Sequence, residues 1–473
     1  MNESQPVKIL KKLLWTYFLL LLFEGALRKW ILPGLSNVLL LARDPLVVAI
    51  YMIAFSCRRF VINGYVIASV MLAFLAFIGG VLSENSNVVI TLIGLRTYFL
   101  HLPLIFVIQA TLDREDVFRM GKVLLWTALP MSVLLVAQFF SSPFSRVNVQ
   151  VGGVYDYGLA GTMGRFRPTG TFSFVNGVAI FYPLTLSVLL SLLLLQRKLP
   201  FYLVVASLAC IIVAVPFSIS RTNMIMCAIV LAASALALMA IPKPPALVAR
   251  GIVVCAIVAP IISSLGFFNE GLQTFGQRWQ DSTGEGSGGF RGAIVDRFID
   301  DLIPPSSYFV TTPILGYGVG RGTNMAQIYL SGQRQFALGE GEWPRLVLEM
   351  GPVISVCFIA LRVAISGQLL AVGLGALRRG NPVPLLIGVQ AAFLVFNSQW
   401  SQPTTLGFAV FMAGMTFSSV RNPSNVANVP RRPARRTYGR SWQPPPPGMR
   451  PGVAIPVPPE APNPDGRILQ PSP

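Results

Sequence analysis

Arginine stands where the outer loops of a membrane protein normally avoid it. Arg165, Arg167, Arg221, Arg278, Arg291, Arg297, Arg321 and Arg345 all fall in segments that the hydropathy pattern assigns to the side away from the cytoplasm. Short extracytoplasmic loops are poor in Lys and Arg, so this cluster points to an anionic ligand at the outer face. A guanidinium presents a planar fork of N–H donors that matches phosphate or diphosphate oxygens. Arg221, in Ser218-Ile219-Ser220-Arg221-Thr222, separates two apolar runs with almost no loop and is held at the boundary. The other reading of Arg221 is a side chain snorkelling at a helix end.

Carboxylates gather near the same face. Glu340, Glu342 and Arg345 lie where the longest loop re-enters an apolar run, and Glu349 follows one helical turn later, in i,i+4 register with Arg345. A partly shielded carboxylate such as Glu342 suits a general base; acidic capping of a helix N-terminus is the competing reading. Gly316-Tyr317-Gly318-Val319-Gly320, with Arg321 and Gly322, would let backbone approach a phosphate, or would simply form a turn. Glu24, Arg28, Lys29, Arg43, Asp44 and Arg96 interrupt apolar runs. Charges at membrane depth are costly; they pair with one another, here Glu24 or Asp44 with Arg96, or they serve a ligand. His101 reads as a hydrogen-bonded core residue.

The elements that position these residues are membrane helices. Hydrophobic residues make up 53% of the 473-residue chain and charged residues 12%, with a mean hydropathy of +0.63. A soluble domain is about a quarter charged. Runs of about 20 apolar residues cross a bilayer, and they occur at Leu13–Leu32, Val38–Phe55, Tyr65–Leu82, Val88–Ala110, Val117–Phe139, Val178–Leu195, Phe201–Ile219, Met224–Ile241, Gly251–Phe268, Leu346–Leu370, Leu385–Trp400 and Pro403–Val420. The fold class expected is therefore all-α, a polytopic bundle of about twelve transmembrane helices. With both termini cytoplasmic, the inner loops carry Arg58, Arg59, Arg114, Arg119, Lys122, Arg197, Lys198, Lys243, Arg250, Arg378 and Arg379, as the positive-inside bias requires. Leu13–Trp30 has a basic start, but Glu24, Arg28 and Lys29 occupy the place of a small-residue cleavage site, so it reads as a retained helix.

Residues 1–420 form the membrane domain, with a large outer loop at 269–344 between the ninth and tenth spans. In that loop Phe290, Ile294, Val295, Phe298, Ile299 and Leu302 recur at helical spacing, opposite Asp296, Arg297, Asp300 and Asp301, as in a helix lying on the leaflet. Residues 421–473 are rich in Pro and Arg, a composition that cannot bury a core; disorder and an electrostatic tether to anionic membrane lipids are expected. The net charge of +18 comes without a basic-aromatic recognition module, so nucleic acid is not an expected partner. None of the five cysteines falls in an expected outer loop, and the single histidine excludes His-rich metal sites. No metal or cofactor is expected.

The span order, the long loop before the tenth span, Ser220-Arg221, Pro313-Ile314-Leu315-Gly316-Tyr317-Gly318-Val319-Gly320 and Leu346-Val347-Leu348-Glu349-Met350-Gly351 together resemble the O-antigen ligase and O-antigen polymerase superfamily. The resemblance covers most of residues 1–420. It implies a bacterial inner-membrane enzyme whose periplasmic face transfers or polymerises a glycan from undecaprenyl diphosphate onto an acceptor sugar, without metal. It also implies that Arg221 and Arg297, or Arg291 in place of Arg297, hold the leaving diphosphate. Arg165, Arg167, Arg345, Arg96 and Lys29 join them as substrate-binding candidates. Ligases carry a histidine where this chain has Glu342-Trp343-Pro344-Arg345, and by position Glu342 inherits the role of base. A flippase for a lipid-linked glycan and a non-catalytic partner of polysaccharide-assembly proteins are the alternatives. Ionisable residues crowding the outer half, with no internal repeat, disfavour the flippase.

Overall fold

A segment surrounded by hydrocarbon must satisfy its own backbone, and the apolar runs among the described residues do so as helices. The computed structural model describes residues 4–83, 87–155, 161–240, 260, 264, 266–283, 302, 306–331, 338 and 341–421. Among them there is no strand. The helices are α1 (Gln5–Ala26), α2 (Ser36–Leu39), α3 (Arg43–Ser56), α4 (Gly64–Leu82), α5 (Val88–Leu95), α6 (Leu104–Thr111), α7 (Arg114–Phe140), α8 (Val175–Leu194), α9 (Phe201–Phe217), α10 (Arg221–Ala240), α11 (Gly266–Thr283), α12 (Ser306–Thr311), α13 (Asn324–Ser331), α14 (Glu342–Leu377), α15 (Val383–Asn397) and α16 (Pro403–Ser418). The described residues belong to one compact unit, Met1–Ala427.

Local chemistry sets several starts. Asn63 and Asn87 cap α4 and α5 by accepting backbone N–H groups of the first turn. Asp113 and Asp116 form a reciprocal capping box on α7. Two helices loosen into π turns, Leu27–Ile31 after α1 and Arg96–Leu100 after α5. Such turns are rare and concentrate at functional positions. Here they carry Arg28 and Lys29 in one case and Arg96 in the other.

Seven helical stretches are long and apolar enough to cross a membrane: Pro33–Ser56, Gly64–Leu82, Val88–Thr111, Arg114–Phe140, Val175–Leu194, Arg221–Ala240 and Glu342–Leu377. Helices α9 and α15 are apolar but shorter. Every expected span has a helix among the described residues except Gly251–Phe268, most of which lies outside them. The amphipathic stretch expected at 290–302, with Arg291 and Arg297, also lies outside them, apart from Leu302; so does the tail beyond Arg421.

Helices α8 and α16 are apolar all round and buried on nearly every side, as the helices at the centre of a bundle must be. The outward face of α4 shows Ile67, Val70, Met71 and Phe74 instead. An outward surface of that kind suits lipid rather than water.

Contacts distinguish the two ends of the bundle. At one end Lys11 pairs with Asp116 at 2.8 Å, Arg59 donates to the Ala110 carbonyl at 2.7 Å, and Arg421 donates to the Gln109 carbonyl at 2.7 Å. The other end carries the described residues singled out for chemistry, and it is called the polar end below.

Candidate functional site

Residues 161–174, following α7, are the hub of the polar end. The hub is anchored first on α7, where Gln138 accepts the Gly170 N–H at 2.7 Å and donates to the Val147 carbonyl at 2.9 Å. Asn148 donates to the carbonyls of Gln138, Ser141 and Ser142, so the chain leaving α7 is folded back on the helix end. It is anchored next on α1. Thr171 Oγ1 donates to the Leu22 carbonyl at 2.7 Å, and a Cβ on Gly25 would come within 2.5 Å of the Phe172 carbonyl carbon. Only glycine permits that approach.

Pinned in this way, the hub meets cations from both directions. Lys29 Nζ donates to Thr169 Oγ1 and to the Gly170 carbonyl at 3.1 Å, and its side chain is only 2% exposed. Beside it, Arg28 donates to Ser173 Oγ at 3.1 Å and to the Ser36 carbonyl at 2.9 Å. Glu24 is shared between Arg28, at 3.4 Å, and Arg43, at 2.8 Å. No carboxylate among the described residues pairs with Lys29. An ammonium buried against neutral oxygens alone pays desolvation without a counter-charge, which is the condition an incoming anion relieves.

From the opposite side, a Cβ on Gly161 would meet the Ile219 side chain at 3.0 Å, two residues before Arg221. Ile219 holds φ at +46°, a left-handed conformation costing a branched residue about 1–2 kcal/mol. Its fully buried side chain and two hydrogen bonds from Asn223, to the Ala214 carbonyl and to Ser218 Oγ, offset that cost. The sharp turn lets α10 begin at Arg221, which is half-buried. Arg165 pairs with Glu270 of α11 and lies 5.3 and 5.4 Å over the rings of Phe139 and Phe140. Arg167 is half-buried in the hub itself. Arg165 and Arg167 thus belong to this loop, Lys29 is hydrogen-bonded to it, and Arg221 begins α10 two residues after Ile219, which lies beside Gly161.

The remaining candidates lie elsewhere. Arg96 pairs with Asp44 at 2.7 Å and donates to the Leu40 carbonyl at 3.2 Å. Asp44 is also hydrogen-bonded to His101 Nε2 at 3.0 Å, and His101 Nδ1 meets the Tyr17 hydroxyl at 3.1 Å, so the histidine is a bonded core residue.

Glu342, the carboxylate expected to act as base under partial burial, is 1% exposed at the start of α14 with both oxygens engaged. One accepts from Arg362 at 2.6 Å and from the Trp400 N–H at 3.2 Å; the other pairs with Arg345. Arg345, expected to touch substrate, is fully buried between Glu342, Ser401, Tyr98 and Glu349, the last at 3.7 Å. Two guanidiniums against two carboxylates leave this cluster without excess charge, so nothing in it calls for an anion.

The glycine-rich turn is likewise already filled. Glu349 accepts the N–H groups of Gly320 and Gly322 at 2.8 Å each. The cradle that suited a phosphate therefore holds an internal carboxylate. The same turn repairs a break in α14: Pro352 has no N–H, and Gly351 turns to φ +76°, which frees the Leu348 and Glu349 carbonyls. Tyr317 and Gly318 donate to them at 2.8 and 3.2 Å.

Sequence reasoning missed Arg362 and Glu270. Arg362 had a visible signal, a lone charge inside a long apolar run. Glu270 had none, because its partner Arg165 is 105 residues away. No family model and no curated protein matches this chain.

Proposed function

We propose that this chain is a polytopic inner-membrane protein of about twelve spans, with both termini cytoplasmic. In this reading it binds an undecaprenyl-diphosphate-linked glycan at its polar end and transfers or extends that glycan on an acceptor sugar. The observation that carries the reading is Lys29, a buried cation whose hydrogen-bond partners among the described residues are neutral, on the loop that also bears Arg165 and Arg167 and lies beside the turn before Arg221. The charge distribution supports the orientation. The opposite end bears Arg58, Arg59, Arg114, Arg119, Lys122, Arg197, Lys198, Arg378 and Arg379, the pattern of a cytoplasmic face.

The chemistry needs little else. The acceptor hydroxyl attacks the anomeric carbon, the carbon–oxygen bond to the diphosphate breaks, and that electron pair leaves on the diphosphate. Fixed cations stabilise the charge as it develops. The hydroxyl proton must pass to a base, and Glu342 is too enclosed to take it. Glu270 suits the task better: its side chain is 39% exposed, and its Arg165 partner sits in the hub. Arg297 and Arg291 stay in the proposal as cations of the long loop.

Purified protein supplied with lipid-diphosphate oligosaccharide tests the reading. Release of undecaprenyl diphosphate with a lengthened or relocated glycan is expected. Movement of the intact lipid across the bilayer would mark a flippase instead, and neither outcome would mark an assembly partner.

A further inference from the structure

A second site lies on the far side of α2 from the hub. The first two turns of α5 and the segment around α2 leave an open groove of about 450 Å³, walled by Leu40, Leu92, Ile93 and Tyr329, with Asn37 and Arg96 as its polar members. Its size falls in the range of ordinary ligand pockets, about 300–1,000 Å³. Leu92 is 53% exposed and Tyr329 58% exposed, so apolar surface is offered outward rather than packed inward.

Arg96 gives the groove a charge preference. Its Nε is held by Asp44 and its Nη2 by the Leu40 carbonyl. Among the described residues its Nη1 has no partner. Asp44 divides its charge between Arg96 and His101, so the guanidinium is oriented without being fully neutralised. Apolar walls ending at a cation with spare donors match an amphiphile with an anionic head; a free phosphate would leave the walls bare. In a bilayer, phospholipid is the solvent, and a guanidinium with a spare donor binds a lipid phosphate by a charge-assisted hydrogen bond.

We propose that this groove binds one anionic phospholipid, with an acyl chain along Leu40, Leu92 and Ile93 and its phosphate at Arg96. The site is distinct from the hub: Arg28 holds the Ser36 carbonyl on the hub side of α2, while Asn37 and Leu40 face the groove. It does not depend on the glycan-transfer reading.

Native mass spectrometry of the full chain, released from nanodiscs of mixed phosphatidylglycerol and phosphatidylethanolamine, tests it. Wild type should retain phosphatidylglycerol about ten-fold over phosphatidylethanolamine, whose phosphate is the same but whose ammonium is repelled by the Arg96 guanidinium. Leu92→Trp, which fills the groove and leaves the Arg96–Asp44 pair intact, should lower that retention about ten-fold. Arg96→Gln should abolish the headgroup preference while some lipid is still retained. Equal retention of both phospholipids by wild type would overturn the proposal. So would retention unchanged by Leu92→Trp.

Discussion

Lys29 and Thr169 are 140 residues apart in the chain and hydrogen-bonded in the fold. That contact joins the π turn after α1 to the loop bearing Arg165 and Arg167, and among the described residues the ammonium meets two oxygens without charge and the Trp30 ring, 5.4 Å away. A buried cation kept in this way costs stability, which the proposed anionic ligand would offset.

Lys29→Met keeps the side chain's length and removes its charge. The variant should fold at least as well as wild type, because an uncompensated charge has been deleted. It should bind lipid diphosphate about 10- to 100-fold more weakly, in line with the loss of a hydrogen bond to a charged group. Thermal unfolding and ligand titration on the same preparation separate the two effects.

Glu342→Gln distinguishes a structural carboxylate from a base. The substitution leaves Arg345 and Arg362 facing a neutral amide inside a buried network, and stability should fall by about 3–5 kcal/mol. Had Glu342 been a solvent-facing base, folding would be untouched and only turnover lost. Melting temperature and yield in detergent decide between these.

Glu270→Gln, by contrast, removes half of an exposed pair, which is worth about 0–1 kcal/mol. Its melting temperature should stay close to wild type while glycan transfer drops by about 10²–10⁴-fold. Transfer at the wild-type rate would return the search for the base to the long outer loop.

The glycine contacts separate as sharply. A Cβ at Gly94 would lie 2.5 Å from the Gly320 nitrogen, so Gly94→Ala should cost about 3 kcal/mol through overpacking. Gly367, exposed on α14 with nothing within 4 Å of its would-be Cβ, should accept Ala with a gain of up to about 1 kcal/mol. Chemical or thermal unfolding of both variants tests the pair.

Removing the tail should leave transfer intact, but the cut matters. Arg421 donates to the Gln109 carbonyl, and its own carbonyl accepts the Arg114 N–H. Ending the chain after Arg421 should be neutral. Ending it after Val420 should cost about 1–2 kcal/mol for those hydrogen bonds, seen as a lower melting temperature.

The helices were legible because a bilayer leaves an apolar run one way to satisfy its backbone. Asp44 with Arg96 and Arg345 with Glu349 were legible too, since buried charges must find partners. The breaks were not. Gly351 and Pro352 interrupt α14 because a distant turn supplies N–H groups to the freed carbonyls, and no local pattern encodes that. The enclosure of Glu342 was hidden for a similar reason: its place in the chain suggested a boundary, while the break at Gly351 folds α14 back so that Arg362 reaches it, and the Trp400 N–H after α15 closes it in. The grouping of Lys29 with Arg165 and Arg221 likewise depends on a loop fold fixed by Gln138 and Asn148, which hydropathy does not record.

The most direct test measures binding of undecaprenyl diphosphate and undecaprenyl monophosphate to wild type, Lys29→Met and Arg221→Ala in nanodiscs. Wild type should prefer the diphosphate, and each substitution should weaken diphosphate binding by about 10-fold or more while affecting the monophosphate less. Equal affinity for both lipids, unchanged in both variants, would contradict the account.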